Sequence, residues 1–310
     1  RVTATSNGCN SSEQVFTVSV NPTPTASITY TGNTTFCQGG ALVLTGNTNL
    51  GGSTFTWFRD RTQVATGSSN TYSANISGSY TLRVTSNSGC VSAISSPVNV
   101  TVTPQITGNT ISGTQTVCSG APILPIGQAS GTTLAGGSSN TFTWEQKVGS
   151  GNWTPIPNAT SASYTPPVQT VSSTTTTFYR RTVSGGGCTS VSNDNISVTI
   201  NPNPVITSIS LGGDSDSDGD GKFNDVFSGQ GVISLTGLPS GGTFRVDGVT
   251  MSSFDPCQLL GSATSKTVTI TYTRTSGTVP NQCSSVVSKT VTVKKSKYTV
   301  VVTANPFPVC

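Results

Sequence analysis

An unusual concentration of carboxylates marks one short stretch of this 310-residue chain. Five of its 11 acidic residues fall within twelve consecutive positions: Asp214, Asp216, Asp218, Asp220 and Asp225. The spacing, with Gly219 at the sixth position, fits a D-x-D-x-D-G-x5-acid loop, in which hard oxygens surround Ca²⁺ and the glycine permits a sharp turn. Carboxylates this close repel one another unless a cation neutralises them. The run therefore predicts a Ca²⁺ site to which Asp220 contributes its backbone carbonyl.

Two details qualify the geometry of this loop. The twelfth position holds Asp225 rather than the usual Glu, which shortens its reach, and a second register starting at Asp216 would place Phe227 there, where it cannot bind a cation. Strand-like sequence flanks the run, so we expect a calcium loop between strands and not a helix-loop-helix hand. Because the loop precedes the strand VISLTG, where other parts of the chain carry Cys37 or Cys118, we hypothesise that metal replaces a disulfide in that connection.

Cysteines form the second group of reactive side chains. The chain has eight of them, no CxxC pair and no histidine. This pattern favours disulfides over a zinc site and predicts an oxidising, extracellular location. Four cysteines recur in one pattern, in which an aromatic strand and a Gly/Asn hairpin precede the cysteine and an alternating Val/Thr strand follows it. They are Cys9, Cys90, Cys188 and Cys283.

The repeat predicts the domain organisation. Its intervals of about 81, 98 and 95 residues match the size of one small β-sandwich. We predict a first module at 25–103, a second at 104–203 and a third, with the aspartate run, at 204–294. Residues 1–24, the leading segment, are predicted to be the last strands of a preceding module, and residues 295–310 the start of a following one.

The modules have the features of an all-β, immunoglobulin-like sandwich. The first two contain the order Cys, Trp, Cys, through Trp57 and Trp144, and short alternating strands separated by Gly/Asn turns. Both tryptophans alternate with threonines and are predicted to be core residues. Prolines follow the last strands and are expected to end them and to stiffen the linkers.

The residues leave two disulfide schemes open. The recurring cysteine follows its strand tyrosine by nine to eleven residues, beyond the hairpin, which allows a staggered scheme with Cys37 bonded to Cys188 of the next module. The third module, however, lacks the early cysteine and gains Cys257. This exchange favours pairing within each module, as Cys37–Cys90, Cys118–Cys188 and Cys257–Cys283. Cys9 and Cys310 would then pair outside the 310 residues.

Several functional classes are disfavoured. Without histidine there is no Ser–His–Asp triad, and the remaining acidic residues are too dispersed for a paired-carboxylate site, so we predict no enzymatic activity. The net charge of +4 comes from scattered residues, unlike the basic clusters of nucleic-acid-binding proteins. No apolar run is long enough to predict a membrane-spanning helix. Trp153 is predicted to pack under its loop, with stacking on a sugar as the alternative.

The motifs FCQGGALVLTG…FTWF…GSYTLRVTSNSGC and TVCSGAPILPIG…FTWEQ…YRRTVSGGGC resemble the Ig-like repeats of very large surface proteins of Bacteroidota. The third module, with GGTFRVDGVTMSSFDP…ITYTRT, is similar to another such repeat. The resemblance implies secretion by a type IX system and display at the cell surface, in adhesin stalks or filaments.

We therefore expect a structural segment of an extracellular fibre, rigidified by disulfides and Ca²⁺. Its expected partners are the flanking modules, with self-association into fibres and binding of surface glycans as further expectations. The alternatives are a glycan- or protein-binding adhesin module and, less favoured, a spacer module of a secreted hydrolase.

Overall fold

The computed structural model describes residues 1–193, 196–214 and 218–297, so Asp194, Asp216 and most of the predicted following segment lie outside the described residues. The regular secondary structure of the described residues is β-strand apart from one helical turn, as predicted. The leading segment holds only a short hairpin, formed by β1 (Thr5–Ser6) and β2 (Cys9–Asn10).

The first module is a sandwich of two sheets. Its strands are β3 (Ser27–Tyr30), β4 (Thr35–Cys37), β5 (Leu42–Asn47), β6 (Thr54–Arg59), β7 (Thr62–Gly67), β8 (Thr71–Ala74), β9 (Gly78–Thr85) and β10 (Val98–Thr103). One sheet has the order β4-β10-β9-β6-β7 and the other β3-β5-β8. Alternating residues of β5, β6 and β9 point inward because successive side chains on a strand face opposite sides.

The second module repeats the larger sheet. Its strands are β11 (Ile111–Ser112), β12 (Gln115–Cys118), β13 (Gly127–Gln128), β14 (Thr141–Val148), β15 (Thr154–Pro155), β16 (Thr175–Gly185), β17 (Cys188–Val191) and β18 (Ile196–Asn201). The order β12-β18-β16-β14-β15, with β17 paired to β16, corresponds strand by strand to the first module. The second sheet is reduced to the pair β11-β13.

The third module again has two sheets and adds one helical turn. Its elements are β19 (Ser208–Leu211), β20 (Val226–Phe227), β21 (Ile233–Leu238), β22 (Thr243–Val246), β23 (Val249–Thr250), β24 (Ser253–Phe254), α1 (Pro256–Leu260), β25 (Ser265–Ser276) and β26 (Cys283–Lys294). The sheets have the orders β20-β26-β25-β22-β23 and β19-β21-β24. Asp255 caps α1 by accepting from the Cys257 amide at 2.8 Å, and proline occupies the first helical position.

Three separate hydrophobic cores lie between the sheets. Trp57 and Trp144 are each 1% exposed, which confirms both as core residues. Tyr80, at the start of β9, donates its hydroxyl to the Ile76 carbonyl at 2.8 Å, an arrangement typical of immunoglobulin-like sandwiches. The fold-class prediction, an all-β tandem of such sandwiches, is therefore confirmed.

One pairing is repeated in every module and determines where its ends lie. A short strand runs parallel to the last strand of the module, as β4 with β10, β12 with β18 and β20 with β26. Parallel strands end at the same edge, so the residue that ends the short strand lies beside the linker to the next module. Prolines 104 and 202 follow β10 and β18 at that edge, as the sequence predicted.

Candidate functional site

The structure joins consecutive modules by disulfides. Cys37 bonds Cys188, with 4.7 Å between their Cα atoms, and Cys118 bonds Cys283, with 5.5 Å. The favoured prediction of pairing within modules is wrong, and the staggered alternative is the one observed. Cys90 and Cys257, which that prediction placed in bridges, are free thiols, as is Cys9.

The positions of Cys37 and Cys90 explain why they do not pair. Cys37 ends β4 opposite Thr103, at the edge that faces the second module. Cys90 follows β9 in the hairpin at the other end, where its Sγ lies 3.9 Å from the Asn21 carbonyl of the preceding linker. The two cysteines thus lie at opposite ends of one sandwich, whereas a disulfide needs Cα atoms within about 7 Å.

The third module shows why the exchange argument failed. Cys257 lies exposed on α1, whereas Cys283 begins β26 at the edge that faces the second module and is 1% exposed. Cys283 therefore reaches Cys118 and not Cys257. The presence of Cys257 therefore does not indicate the partner of Cys283.

Thr103 is the central residue of the first junction. Its hydroxyl donates to the Phe36 carbonyl at 3.2 Å and contacts the Gly186 carbonyl of the second module. Its Oγ1 also lies 3.4 Å from Cys188 Sγ. Because Thr103 is buried, these contacts are shielded from water, which strengthens them. The last residue of one module thus holds the hairpin of the next.

Glycines allow the close approach of this hairpin. Gly187 has φ +78°, and a Cβ there would lie 2.8 Å from Phe36 Cα, while a Cβ on Gly186 would lie 2.5 Å from Thr103 Cγ2. Both distances are too short for an L side chain, and the left-handed backbone itself favours glycine. Gly186 and Gly187, the two residues before Cys188, are therefore required by the junction and not only by the turn.

Apolar contacts complete the first junction. Ile106, Val183 and Cys188 form a small buried cluster, against which Cys37, Leu134 and Phe142 pack. At the second junction, the Asn203 side chain donates to the Ser119 carbonyl at 3.0 Å, and Cys283 Sγ lies 3.9 Å from the Asn201 carbonyl. Both junctions combine a disulfide with contacts to the linker.

The third module has no cysteine at the position from which the first two bond forward. The same two hydrogen bonds show that Phe227 corresponds to Cys37 and Cys118. In each module the amide of the residue that follows this position donates to the last strand. The carbonyl of the position itself accepts from the amide three residues later. The hypothesis that metal replaces a disulfide inside the third module therefore rested on a wrong premise, since these cysteines join modules. Phe227, 42% exposed, stands in their place.

The aspartate run has only part of its predicted ligand set in the described residues, because Asp216 lies outside them. Asp214 and Asp225 line one cleft of about 530 Å³ together with Asn224 and Gln230. Asp214 Oδ2 accepts from the Asn224 amide at 2.6 Å, and Asp225 contacts the Lys294 ammonium. The described part of the chain contains no group of three or more His, Cys, Asp or Glu side chains arranged to hold a metal.

Asp218 and Asp220 shape the turn of the run. Asp218 Oδ1 accepts from the Asp220 amide at 3.4 Å, and Asp220 Oδ1 accepts from the Lys222 amide at 2.8 Å. Gly219 and Gly221 both have positive φ, of 74° and 78°. These bonds are of the kind that aspartates make in tight turns.

Two polar features of the second module involve aromatic rings. The Trp153 ring is contacted by Lys147 Nζ at 4.7 Å and by the Arg180 guanidinium at 4.4 Å, measured to the ring centroid. Both distances are within the range of cation–π attraction, so these two side chains fix the position of the Trp153 ring. Arg180 also binds Glu145 at 2.7 Å, an ion pair that is about one quarter exposed.

Arg181 is fully buried and was missed by the sequence analysis. Its guanidinium donates to Asn109 Oδ1 through Nε at 3.0 Å and Nη2 at 2.8 Å, to Gln128 Oε1 at 2.7 Å and to the Ala162 carbonyl at 2.7 Å. Burial lowers the pKa of this group, and burial likewise raises the pKa of its neighbour on the same face, Tyr179, to about 12. The strict alternation Tyr179, Arg181, Val183 was the available signal, because it points Arg181 inward.

Comparison with protein-family models supports the immunoglobulin-like fold of the first module. Residues 24–104 match the family described as Ig-like domain CHU_C associated, and residues 107–202 match a domain of unknown function (DUF8696). No curated protein matches the sequence. The structure is similar to part of a 1.5-MDa bacterial ice-binding adhesin (14% identity, 88% of this chain, 98% of that chain, TM-score 0.31). It is also similar to three N-terminal domains of the bacteriophage RB49 outer capsid protein Hoc (11% identity, 88% of this chain, 100% of that chain, TM-score 0.31). A further similar structure is that of four Ig domains of a Dscam1 isoform (11% identity, 89% of this chain, 73% of that chain, TM-score 0.25).

No helix in the described ranges has the length and apolar character needed to span a membrane.

Proposed function

We propose that this chain is a non-enzymatic structural segment of an extracellular stalk or filament, whose modules are held in line by disulfides. The observation that carries this proposal is the pair of inter-module bridges, Cys37–Cys188 and Cys118–Cys283. A disulfide inside a module stabilises that module alone, whereas a disulfide between modules also restricts their relative motion. The match of residues 24–104 to Ig-like domains agrees with this role.

The order of the cysteines strengthens the argument. The two closed loops overlap, because Cys118 lies inside the first loop and Cys188 inside the second. All three modules therefore belong to one covalent network. In the chain-entropy description, each loop of 151 or 165 residues constrains the unfolded chain by roughly 5 kcal/mol. Such a network suits a rod that must resist both bending and extension.

The same chemistry supports a location outside the cytoplasm. Disulfides persist in oxidising compartments and are rare in the cytosol. The resemblance to surface proteins of Bacteroidota supports secretion by a type IX system as part of the proposal. Under it, the chain's principal partners are the modules that flank it in the same polypeptide.

The test of rigidity is small-angle scattering of the chain before and after mild reduction. We expect the oxidised chain to have a narrow distribution of interatomic distances with one long maximum dimension. Reduction should broaden the distribution while the circular dichroism of the sandwiches stays unchanged. Equal profiles in both states would remove the disulfides as the source of rigidity.

We further propose that the aspartate run binds Ca²⁺ and stiffens the third module. Support comes from the spacing of the run and from the cleft that Asp214 and Asp225, the first and twelfth positions, share. Lys294 competes for the Asp225 carboxylate, so Lys294→Gln should tighten Ca²⁺ binding, whereas Asp214→Asn should abolish it. Isothermal titration of Ca²⁺ into the full chain and the two variants measures both effects. Absence of binding by the unaltered chain would refute this part of the proposal alone.

A further inference from the structure

The two observed bridges follow one rule. Each joins the end of a short strand in one module to the hairpin cysteine of the next module. The hairpin cysteine also lies beside the linker that enters its own module: Cys188 Sγ is 3.2 Å from the Pro104 carbonyl, and Cys283 Sγ is 3.9 Å from the Asn201 carbonyl. Its partner ends the strand paired with that linker, as Cys118 does opposite Asn201.

Cys90 satisfies the same rule except for its partner. It occupies the hairpin of the first module, and its Sγ lies 3.9 Å from the carbonyl of Asn21, the residue that corresponds to Asn201 in the linkers NPTP and NPNP. The incoming half of an inter-module disulfide is therefore in place at the entrance of the first module.

The leading segment supplies an independent observation. Phe16, Val18 and Val20 are 68%, 82% and 89% exposed, and they precede Asn21 as Ile196, Val198 and Ile200 precede Asn201. In the second module those three residues are 7%, 1% and 2% exposed, on β18, which is paired on both sides by β12 and β16. An alternating apolar segment this exposed has no sheet to cover it among the described residues.

Space for the partner strand is visible beside Cys90. Gly89 corresponds to Gly187 and has a similar φ, +81° against +78°. A Cβ on Gly187 would meet Phe36 of the preceding module at 2.8 Å, whereas a Cβ on Gly89 would meet nothing within 4 Å. Among the described residues, nothing at the hairpin of the first module corresponds to the surface against which the hairpin of the second module rests.

We infer that Cys90 forms a disulfide with a cysteine of a preceding Ig-like module, at the end of a strand that pairs in parallel with residues 16–21. The inference rests on the proposed function and extends it to a third junction. The observed bridges span 151 and 165 residues, so the partner lies about 60–75 residues before Arg1. Formation of the bond oxidises two thiols to one disulfide, with two protons and two electrons passing to the oxidant of the secretory compartment, for example a disulfide oxidase.

The test uses the natural full-length polypeptide, purified without reductant, and the 310-residue chain for comparison. Thiols are alkylated under native conditions, the remaining cysteines are reduced and labelled differently, and a digest that separates Cys90 from Cys118 is analysed by mass spectrometry. In the 310-residue chain Cys90 should carry the first label, the one added under native conditions. In the full-length protein its alkylation should fall to the background set by Cys188, while exposed Cys257 remains alkylated in both.

A non-reducing digest then identifies the partner. We expect a cross-linked peptide that joins Cys90 to a cysteine preceding Arg1, and Cys90→Ser should release one new thiol at that same cysteine. A free Cys90 in the full-length protein, or a bond to a cysteine elsewhere, would overturn the inference. The same digest reports Cys37–Cys188 and Cys118–Cys283, so loss of the Cys90 bond alone leaves the proposed function intact.

Discussion

Interleaved disulfides make a mechanical prediction that no arrangement of separate loops shares. When the chain is pulled from its ends, extension stops when the shortest covalent route between Cys37 and Cys283 is taut. That route passes through the first disulfide to Cys188, returns along about 70 residues of chain to Cys118 and passes through the second disulfide to Cys283. After reduction the route follows the whole chain between Cys37 and Cys283, about 246 residues. At about 3.5 Å per residue, the limits are roughly 250 Å and 860 Å.

Removing one bridge at a time gives the sharper result. Without Cys37–Cys188 the shortest route contains about 81 residues, and without Cys118–Cys283 about 95. The single removals should thus add only about 40 Å and 90 Å, whereas removing both should add about 600 Å. Each bridge limits extension almost fully in the absence of the other, because the two loops overlap.

Optical-tweezers measurements of contour length on serine variants, and on one molecule before and after reduction in place, provide the assay. Circular dichroism of each variant controls for folding. Three loops closed within modules would leave about 97 residues in the taut route and would release length additively, bridge by bridge. Additive increments, or a double removal that adds no more than the sum of the single ones, would refute the reasoning from the interleaved order.

The remaining predictions concern single positions. Arg181→Met should lower the free energy of unfolding by about 3 kcal/mol in urea titrations, since it leaves the oxygen of the buried Asn109 side chain without its two donors. Arg180→Met, next in sequence but in a partly exposed ion pair, should cost less than about 1 kcal/mol. Equal costs would contradict the role given to burial. Gly187→Ala should destabilise the chain by about 1–3 kcal/mol more than Gly89→Ala, because both positions have a left-handed backbone but only Gly187 faces Phe36. The matched pair isolates the junction contact, and identical costs would show that only the turn matters. Removal of Ca²⁺ should lower the melting temperature of the third module in scanning calorimetry. The lost stability should be about 2.7 kcal/mol when the Ca²⁺ concentration before removal was a hundred times Kd. Asp218→Asn should remove that sensitivity, and no effect of EDTA on the unaltered chain would count against the calcium loop.

The architecture was predictable because its signals are local and repeated. Alternating apolar residues, Gly/Asn hairpins and strand-ending prolines each report on a few neighbouring residues, and the recurring cysteines set the length of a module. Trp57 and Trp144 were predicted as core residues from their alternation alone. Arg181 obeys the same alternation but was overlooked, because a charged residue at an inward position is rarely fully buried.

The disulfide pairing was not predictable in the same way. It depends on which end of a sandwich each cysteine occupies, and that is decided by the parallel pairing of β4 with β10, between segments more than 60 residues apart. No local pattern identifies such a pairing. The gain of Cys257 then pointed toward the wrong scheme, because sequence alone does not distinguish an exposed helical cysteine from one buried at a junction.

The direction of the bridges has a consequence for the chain as a whole. Each bridge joins the cysteine at the end of one module's short strand, here called outgoing, to the hairpin cysteine of the next module, here called incoming. All three modules have the incoming one, as Cys90, Cys188 and Cys283, but only the first two have the outgoing one. The third carries Phe227 at that place, and phenylalanine forms no disulfide. By this rule no bridge of the observed kind starts from the short strand of the third module, and the half-exposed Phe227 ring offers apolar contact at that place instead.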